Sequence, residues 1–359
     1  MFVIGYGAAG ASAAITAHDD GARVLIVEKM DEPGGNTRSA GGGFIIPEDA
    51  GKAYEYLSRT FAFADDEMDE DLVRTFCQGA SRLRDWFERI APEARLEILG
   101  HANFPNLPFA ETITKYRIAG KRNGGQELMA TLRRAVEEKR QIPVWLRSPA
   151  LELVREGKRV AGAFVRHGRK ALRVRARRGV ILACGGYEFD RESLRTFCPG
   201  KEILALGNPG NTGDGLRMAA SMGARMWHMT SYSSPLGVKV PDCCAAVFIS
   251  MQSPNYFVVN QSGSRFFNES GVDFHGFLYA VNHFDPEKRR YPSIPCYVIF
   301  DEAARRSGRP THFFCGYAAC MEGYRWSSDC SEEIRSGVVK TAATIEGLAK
   351  EINVPAANL

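Results

Sequence analysis

The sequence lacks the features that would assign it to a membrane-spanning, secreted or metal-binding class. No apolar run approaches the roughly 18 residues that a transmembrane helix needs. The first residues lead directly into glycines with no basic segment, so we expect no signal peptide. The nine cysteines show no CxxC, CxxCH or zinc-like spacing. This pattern predicts reduced thiols in a cytoplasmic protein and no metal site.

Charge of one sign is not in large excess, since 46 Lys and Arg face 42 Asp and Glu and give a net charge of +4. Basic residues concentrate between 155 and 178, where apolar and basic residues alternate around turns. This alternation predicts a β meander with a solvated basic face. No aromatic stacking platform accompanies the charge, so we expect no nucleic-acid partner. The length of 359 residues predicts about two domains.

Glycine is what the sequence has in excess, with 36 residues in 359. The first cluster is G-x-G-x-x-G between a short apolar strand and a helical run of small residues. Gly5 permits the tight turn, Gly7 allows a pyrophosphate to approach the backbone, and Gly10 lets the helix lie close to the sheet. A second strand ends at Glu28, which lies 18 residues after Gly10 and suits the acid that accepts ribose hydroxyls. The segment predicts a dinucleotide-binding fold.

The second cluster distinguishes FAD from NAD. Residues 34–43 contain five glycines together with Asn36, Thr37 and Ser39, directly after Glu28. A nicotinamide-binding domain does not need such a loop, whereas a flavin ring has to contact backbone and needs amide donors near its N5 and ring oxygens. Two further clusters follow, Gly185-Gly186 after an apolar strand and residues 207–215 before a helical run. These glycines favour FAD.

Together these motifs resemble the flavoproteins of the fumarate reductase and succinate dehydrogenase type, and are nearest to the 3-ketosteroid dehydrogenases. The resemblance covers residues 1–222 closely and extends more loosely through Gly263–Glu269, which is similar to the motif G-x-R-F-x-N-E. It implies an α/β fold with a Rossmann-like, glutathione-reductase-type FAD-binding domain over 1–229 and an α+β capping domain over 230–359. It also implies a C-terminal return to the FAD-binding domain, which we expect this chain to lack.

The resemblance implies a set of FAD contacts and an enzyme class. By position, the contacts are Gly5, Gly7, Ala9, Gly10, Glu28, Lys29, Gly35, Asn36, Thr37, Ser39, Gly41, Gly42, Ala150, Ala183, Gly185, Gly186, Thr212 and Asp214. The class is an FAD-dependent oxidoreductase acting on CH-CH groups, which transfers a hydride between flavin N5 and a carbon next to a carbonyl. Its partners would be a small molecule with a conjugated carbonyl and an electron donor or acceptor of unknown identity.

Two departures from the family bear on the substrate. Fumarate reductases hold a carboxylate with a His that would fall near Ser234, and donate a proton from an Arg that would fall at Asp273. Both groups differ here, so a ketosteroid-like substrate is favoured over a small unsaturated acid. The weak catalytic candidates are Tyr116, Tyr279 and His275, and the aromatic side chains expected to line the site are Phe44, Phe274 and Phe277. Reduction of a small unsaturated acid, or a truncated non-catalytic flavin-binding protein, remain the alternatives.

Overall fold

The computed structural model describes residues 1–61, 68–198, 200, 203–271, 276–311 and 315–359. The chain forms two compact units, Met1–Ala183 and Cys184–Leu359. The predicted domain boundary between residues 229 and 230 falls inside the second unit and stays a prediction, because compactness and ligand binding divide a chain by different criteria.

The described part of the first unit mixes short strands with helices. Its strands are β1 (Phe2–Ile4), β2 (Leu25–Val27), β3 (Phe44–Pro47), β4 (Leu96–His101), β5 (Ile113–Ile118), β6 (Val144–Trp145), β7 (Ala150–Glu156), β8 (Arg159–His167), β9 (Lys170–Arg175) and β10 (Val180–Leu182). Its helices are α1 (Ala8–Asp19), α2 (Gly35–Ser39), α3 (Ala50–Phe61), α4 (Glu70–Ser81), α5 (Leu83–Ile90) and α6 (Gly124–Arg133), and a π-helical turn (Arg134–Glu138) follows α6.

A parallel sheet of order β10-β1-β2-β6 carries the core of this unit. All three side chains of β1 are buried, which is typical of an apolar parallel strand covered on both faces. Ile15 of α1 and Leu132 of α6 pack in the same core as Val3 and Ile26. The sheet therefore sets the position of the segments that follow β1, β2 and β10, all of which leave from its carboxyl edge.

Two antiparallel sheets complete the first unit. One has the order β3-β5-β4, and the other is the meander β7-β8-β9 that the alternation of apolar and basic residues predicted. Leu153 pairs across the meander with Ala163, and both are buried. Arg173 and Arg175 on β9 keep 53% and 76% of their side-chain surface exposed. The basic residues of β9 thus lie on a solvated face, as predicted.

The second unit is also mixed. Its described helices and strands are α7 (Arg191–Phe197), α8 (Asp214–Ser221), β11 (Gly237–Val238), β12 (Val247–Phe248), β13 (Tyr256–Val259), α9 (Phe277–Val281), β14 (Tyr297–Phe300), α10 (Glu302–Ser307), α11 (Tyr317–Cys320), α12 (Ser331–Arg335) and α13 (Ile345–Glu351). β11 pairs with β12 and β13 pairs with β14, both antiparallel. Thr344 caps α13 by accepting a hydrogen bond from Gly347 N at 3.1 Å.

Candidate functional site

The turn after β1 has the geometry that its three glycines predict. Gly5 has φ +102°, a conformation that strongly favours glycine. Gly7 is the N-cap of α1, and its extended φ of −93° lets the chain enter the helix. A Cβ on Gly10 would lie 2.0 Å from the carbonyl oxygen of Gly5. No side chain fits there, so α1 lies directly against the strand end.

The N-terminus of α1 suits an anionic ligand. The first N–H groups of a helix have no partner inside the helix, and they carry partial positive charge. The first turn of α1 holds no acidic residue. One of its groups, Ala8 N, donates a 2.9 Å hydrogen bond to Thr37 Oγ1, so α2 is tied to the start of α1. The remaining amides are of the type that binds a pyrophosphate in a dinucleotide.

Glu28 follows β2 at the same edge of the sheet and is only 8% exposed. Its Oε2 accepts a hydrogen bond from Tyr6 N at 2.8 Å, and its Oε1 accepts one from Met30 N at 2.9 Å. Its main-chain oxygen accepts a hydrogen bond from Ser148 N at 2.8 Å. Since a carboxylate has about four acceptor sites, these bonds fix the direction of the side chain and leave capacity for ribose hydroxyls.

At its glycines, the loop after Glu28 packs on the start of α6 through backbone. A Cβ on Gly42 would lie 2.1 Å from the carbonyl carbon of Gly124, and Gly42 has φ +73°. A Cβ on Gly125 would lie 2.1 Å from the carbonyl oxygen of Thr37. Glycine at position 42 is therefore required by the contact with α6, whatever ligand the loop meets on its other side. Sequence reasoning missed Gly124 and Gly125, although an Asn-Gly-Gly segment before a run with apolar residues at helical spacing was the available signal.

The other predicted FAD contacts of the first unit lie close to these segments. Ala183 follows β10, and its N–H donates to the carbonyl oxygen of Ile4 at 2.8 Å, so it lies beside the turn at Gly5. Ser39, buried at the end of α2, donates its hydroxyl to the carbonyl oxygen of Asn36 at 3.2 Å. Ala150 is the first residue of β7. Fitting FAD requires backbone, short polar side chains and one carboxylate, and these residues supply that set.

In the second unit the remaining predicted contacts lie in two hydrogen-bonded segments, residues 185–186 and 212–214. The carbonyl oxygen of Gly186 accepts a hydrogen bond from Gly213 N at 3.1 Å, which joins the two glycine clusters. Thr212 Oγ1 donates to Asp214 Oδ1 at 3.2 Å. A Cβ on Gly185 would lie 2.4 Å from Oδ1 of Asn211, whose side chain is buried. Asn211 directly precedes the second of these segments and was not among the predicted FAD contacts.

The catalytic candidates Tyr116 and Tyr279 differ in their contacts and their solvent exposure. Tyr116 lies on β5 directly opposite Phe44 of β3, and Phe44 follows the glycines at 41–43 in the chain. The guanidinium carbon of Arg84 lies 5.0 Å from the centre of the Tyr116 ring. Tyr279 on α9 is 73% exposed. His275 lies outside the described residues, as do Asp273 and Phe274.

The aromatic residues expected to line a substrate site have partners of their own. Phe44 stacks on Phe87 with ring centres 5.0 Å apart and packs against the core of the first unit. Phe277 is buried and contacts the ring of Phe267 edge-on at 5.4 Å. Each of these two rings therefore packs against another aromatic ring within its own unit.

The cysteines and the acidic side chains do not point to another kind of site among the described residues. All nine cysteines are free thiols. Within the ranges that the structure covers, no group of three or more His, Cys, Asp or Glu side chains could hold a metal ion. The helices in the same ranges include none with the length and apolar character needed to cross a membrane. The cytoplasmic location stays a prediction.

The chain is similar to known proteins over nearly its whole length. A 3-oxosteroid 1-dehydrogenase of Mycolicibacterium smegmatis is 26% identical over 446 aligned positions, which cover 99% of this chain and 75% of that protein. A probable fumarate reductase of Shewanella frigidimarina is 28% identical over 279 positions, covering 75% of this chain and 46% of that protein. The chain thus spans three quarters of one relative and about half of the other.

Solved structures give the same fold. The 3-ketosteroid delta1-dehydrogenase of Sterolibacterium denitrificans, solved with 1,4-androstadiene-3,17-dione, matches with a TM-score of 0.81 at 23% identity. The match covers 99% of this chain and 76% of that one. It confirms the predicted Rossmann-like fold class. Residues 1–347 match the family described as FAD binding domain, which confirms the predicted cofactor and agrees with the predicted oxidoreductase class. The chain belongs to the FAD binding domain family.

Proposed function

We propose that this protein binds FAD at the carboxyl edge of its parallel sheet and transfers a hydride between flavin N5 and a carbon-carbon bond next to a carbonyl. The observation that carries the proposal is the backbone contact among three segments, residues 5–10, 34–43 and 124–125, beside the buried carboxylate of Glu28. A flat ring and a pyrophosphate need exposed backbone amides, and this arrangement keeps side chains out. When bound, FAD supplies the hydride chemistry.

The residues have distinct proposed roles. Glu28 accepts hydrogen bonds from the ribose hydroxyls, and the first N–H groups of α1 bind the pyrophosphate. The loop at 34–43 holds the flavin ring, and the full set of contacts inferred from the family is proposed with it. Tyr116 is the candidate for moving a proton, since it lies opposite Phe44 at the end of that loop. We also propose that residues 1–229 form the FAD-binding domain and that residues 230–359 form the capping domain.

The proposed substrate is a bulky, largely apolar compound with a conjugated carbonyl. Support comes from relatives named 3-oxosteroid 1-dehydrogenase. A second candidate, reduction of a small unsaturated acid, has support from relatives named fumarate reductase. Against it, Ser234 stands near the position where a carboxylate-binding His is expected, and Asp273 where a proton-donating Arg is expected. An ionised carboxylate at that position would repel a dicarboxylate substrate.

The first experiment tests the cofactor site. FAD affinity of the apoprotein is measured by flavin fluorescence titration for the wild type, Glu28→Ala and Asp31→Ala. Loss of charge-assisted hydrogen bonds of about 1.5–3 kcal/mol should lower the affinity of Glu28→Ala at least tenfold. Asp31, an exposed carboxylate three residues away, is the matched control and should leave affinity unchanged. Equal affinity for Glu28→Ala and the wild type would contradict the site.

The second experiment tests the reaction. The oxidised holoenzyme is mixed anaerobically with a saturated 3-ketosteroid, and bleaching of the flavin absorbance is followed. In parallel, the reduced holoenzyme is mixed with fumarate and reoxidation is followed. Bleaching by the steroid without reoxidation by fumarate supports the proposal, and the reverse supports the unsaturated-acid alternative. Bound flavin that responds to neither compound supports a non-catalytic flavin-binding protein.

A further inference from the structure

Helix α6 meets the proposed FAD site at both of its ends. At its start, Gly124 and Gly125 lie against the backbone of the loop at residues 34–43, which we call the flavin loop. At its end the helix widens into the π-helical turn Arg134–Glu138, in which Lys139 N donates to the carbonyl oxygen of Arg134 at 3.1 Å. Such turns insert one extra residue and often occur at functional sites. The turn carries Glu137, and this residue contacts the glycine turn after β1.

Tyr6 is the residue that Glu137 contacts, and it has three separate anchors. Its side chain is fully buried, and the phenol hydroxyl donates to Glu137 Oε1 at 3.2 Å. Its backbone N–H donates to Glu28 Oε2 at 2.8 Å. Its carbonyl oxygen accepts a hydrogen bond from Gly34 N at 2.8 Å. One residue thus links the ribose-binding carboxylate, the flavin loop and the end of α6.

Glu137 is itself held in place. Arg133 Nε donates to both of its carboxylate oxygens, at 3.0 and 3.1 Å. Arg133 also forms an ion pair with Glu32 at 3.6 Å, so this side of α6 is joined to the loop after Glu28. Burial, and then the neighbouring carboxylate of Glu137, raise the pKa of the Tyr6 phenol. The hydroxyl therefore stays a donor at all physiological pH values.

We propose that Tyr6 and Glu137 are positioning residues for FAD. Tyr6 lies between Gly5 and Gly7. Because glycine restricts the backbone dihedral angles very little, this segment alone does not hold one conformation. Anchoring the phenol to a helix 131 residues away holds the main chain of residue 6 in one place. That main chain directs the Glu28 carboxylate. This inference rests on the proposed function, because it needs FAD to bind at Glu28.

The test compares FAD affinity with stability of the apoprotein. Affinity is measured by flavin fluorescence titration, and the free energy of unfolding by urea titration, for Tyr6→Phe, Glu137→Ala and Glu138→Ala. Glu138 lies next to Glu137 on the same turn and is exposed, so it is the matched control. Affinity should fall about tenfold for Tyr6→Phe and Glu137→Ala, the size expected for loss of a hydrogen bond to a charged group. Glu138→Ala should keep wild-type affinity.

A double variant separates positioning from general stability. If Tyr6 acts through Glu28, then Tyr6→Phe should lower FAD affinity much less in the Glu28→Ala background than in the wild type. The free energy of unfolding is measured for all four proteins, so that a loss of affinity that only follows general destabilisation is recognised. Full additivity in affinity, or unchanged affinity for both Tyr6→Phe and Glu137→Ala, would overturn the inference while leaving the FAD site intact. A wild type that binds no FAD would overturn the proposed function and the inference together.

Two features keep the test valid if a variant is unstable. Tyr6→Phe keeps the ring and its volume, so it leaves only the space of one hydroxyl in the core. Glu137 is one-third exposed, and its replacement by alanine opens no cavity in the core. If one variant does not fold, the other gives the same comparison, and low affinity in Glu138→Ala would count against the inference.

Discussion

Replacing Gly10 with alanine sets two effects on stability against each other. In an ordinary helix position, alanine is about 1 kcal/mol more favourable than glycine. At Gly10 the new Cβ would lie 2.0 Å from the carbonyl oxygen of Gly5 and 3.4 Å from the Cβ of Ala183. The first contact is with backbone, so no side-chain rotation relieves it. The start of α1 has to move away from β1 by roughly 1 Å, and overpacking of this kind costs about 1–3 kcal/mol.

The overpacking cost should exceed the gain in helix propensity. We expect Gly10→Ala to lower the free energy of unfolding by up to about 2 kcal/mol, the difference between the two effects. FAD affinity should fall at least tenfold in addition, because the N–H groups proposed to bind the pyrophosphate move with the helix. Urea unfolding of the apoprotein, followed by far-UV circular dichroism, measures the first effect. Flavin fluorescence titration measures the second.

Gly79 in α4 provides the matched control. A Cβ there would meet no atom within 4 Å. Gly79→Ala should therefore raise the free energy of unfolding by about 0.5–1 kcal/mol and leave FAD affinity unchanged. The same substitution thus has opposite signs in two helices of one unit. If Gly10→Ala were as stable as Gly79→Ala and bound FAD normally, the close packing of α1 on the strand end would be refuted.

Two further predictions concern ionisable groups. Hydrogen bonds, first from Lys139, then from the Glu93 backbone and from Arg134, hold the pKa of Glu93 down to about 2. The contribution of this carboxylate to stability is therefore present above about pH 4.5 and is lost as the pH falls toward 2. The difference in unfolding free energy between Glu93→Gln and the wild type should shrink over that range, and a constant difference would contradict the ion pairs. Partial desolvation, and then the neighbouring Glu322, raise the pKa of the Cys244 thiol to about 11, although the residue as a whole is exposed. Alkylation of Cys244 at pH 7.5, followed by peptide mass spectrometry, should be slow and should accelerate several-fold in Glu322→Gln, whereas an unchanged rate would show that Glu322 has no effect.

The sequence was most informative where a function depends on local chain geometry. The spacing of Gly5, Gly7 and Gly10 predicts the turn and the close approach of α1, because each glycine acts on its immediate neighbours. Glu28 could be found in the same way, since a strand end and a fixed interval identify it. The meander after residue 150 was also predictable, because alternation with period two is a property of a single strand.

Contacts between distant segments were not predictable in this way. Gly42 was predicted as an FAD contact, but no sequence pattern indicated that the direction in which its side chain would lie is occupied by the backbone of Gly124. Nothing in either segment alone records that contact. The π-helical turn that presents Glu137 to Tyr6 was also missed, since one inserted residue hardly disturbs an apolar pattern with helical spacing. The choice between Tyr116 and Tyr279 depends on tertiary position, which no local pattern in the sequence reveals.

The backbone contacts of Gly42 with Gly124, and of Gly10 with Gly5, also bear on how this protein can change over generations. When two side chains clash, a smaller neighbour can restore the fit, and cores drift through such paired exchanges. Here the neighbour is a peptide group, which is the same for every amino acid. No second side-chain substitution restores the space, and only a shift of the backbone, such as the one expected for Gly10→Ala, relieves the clash. A library designed to alter the activity of this protein should therefore leave these glycines untouched.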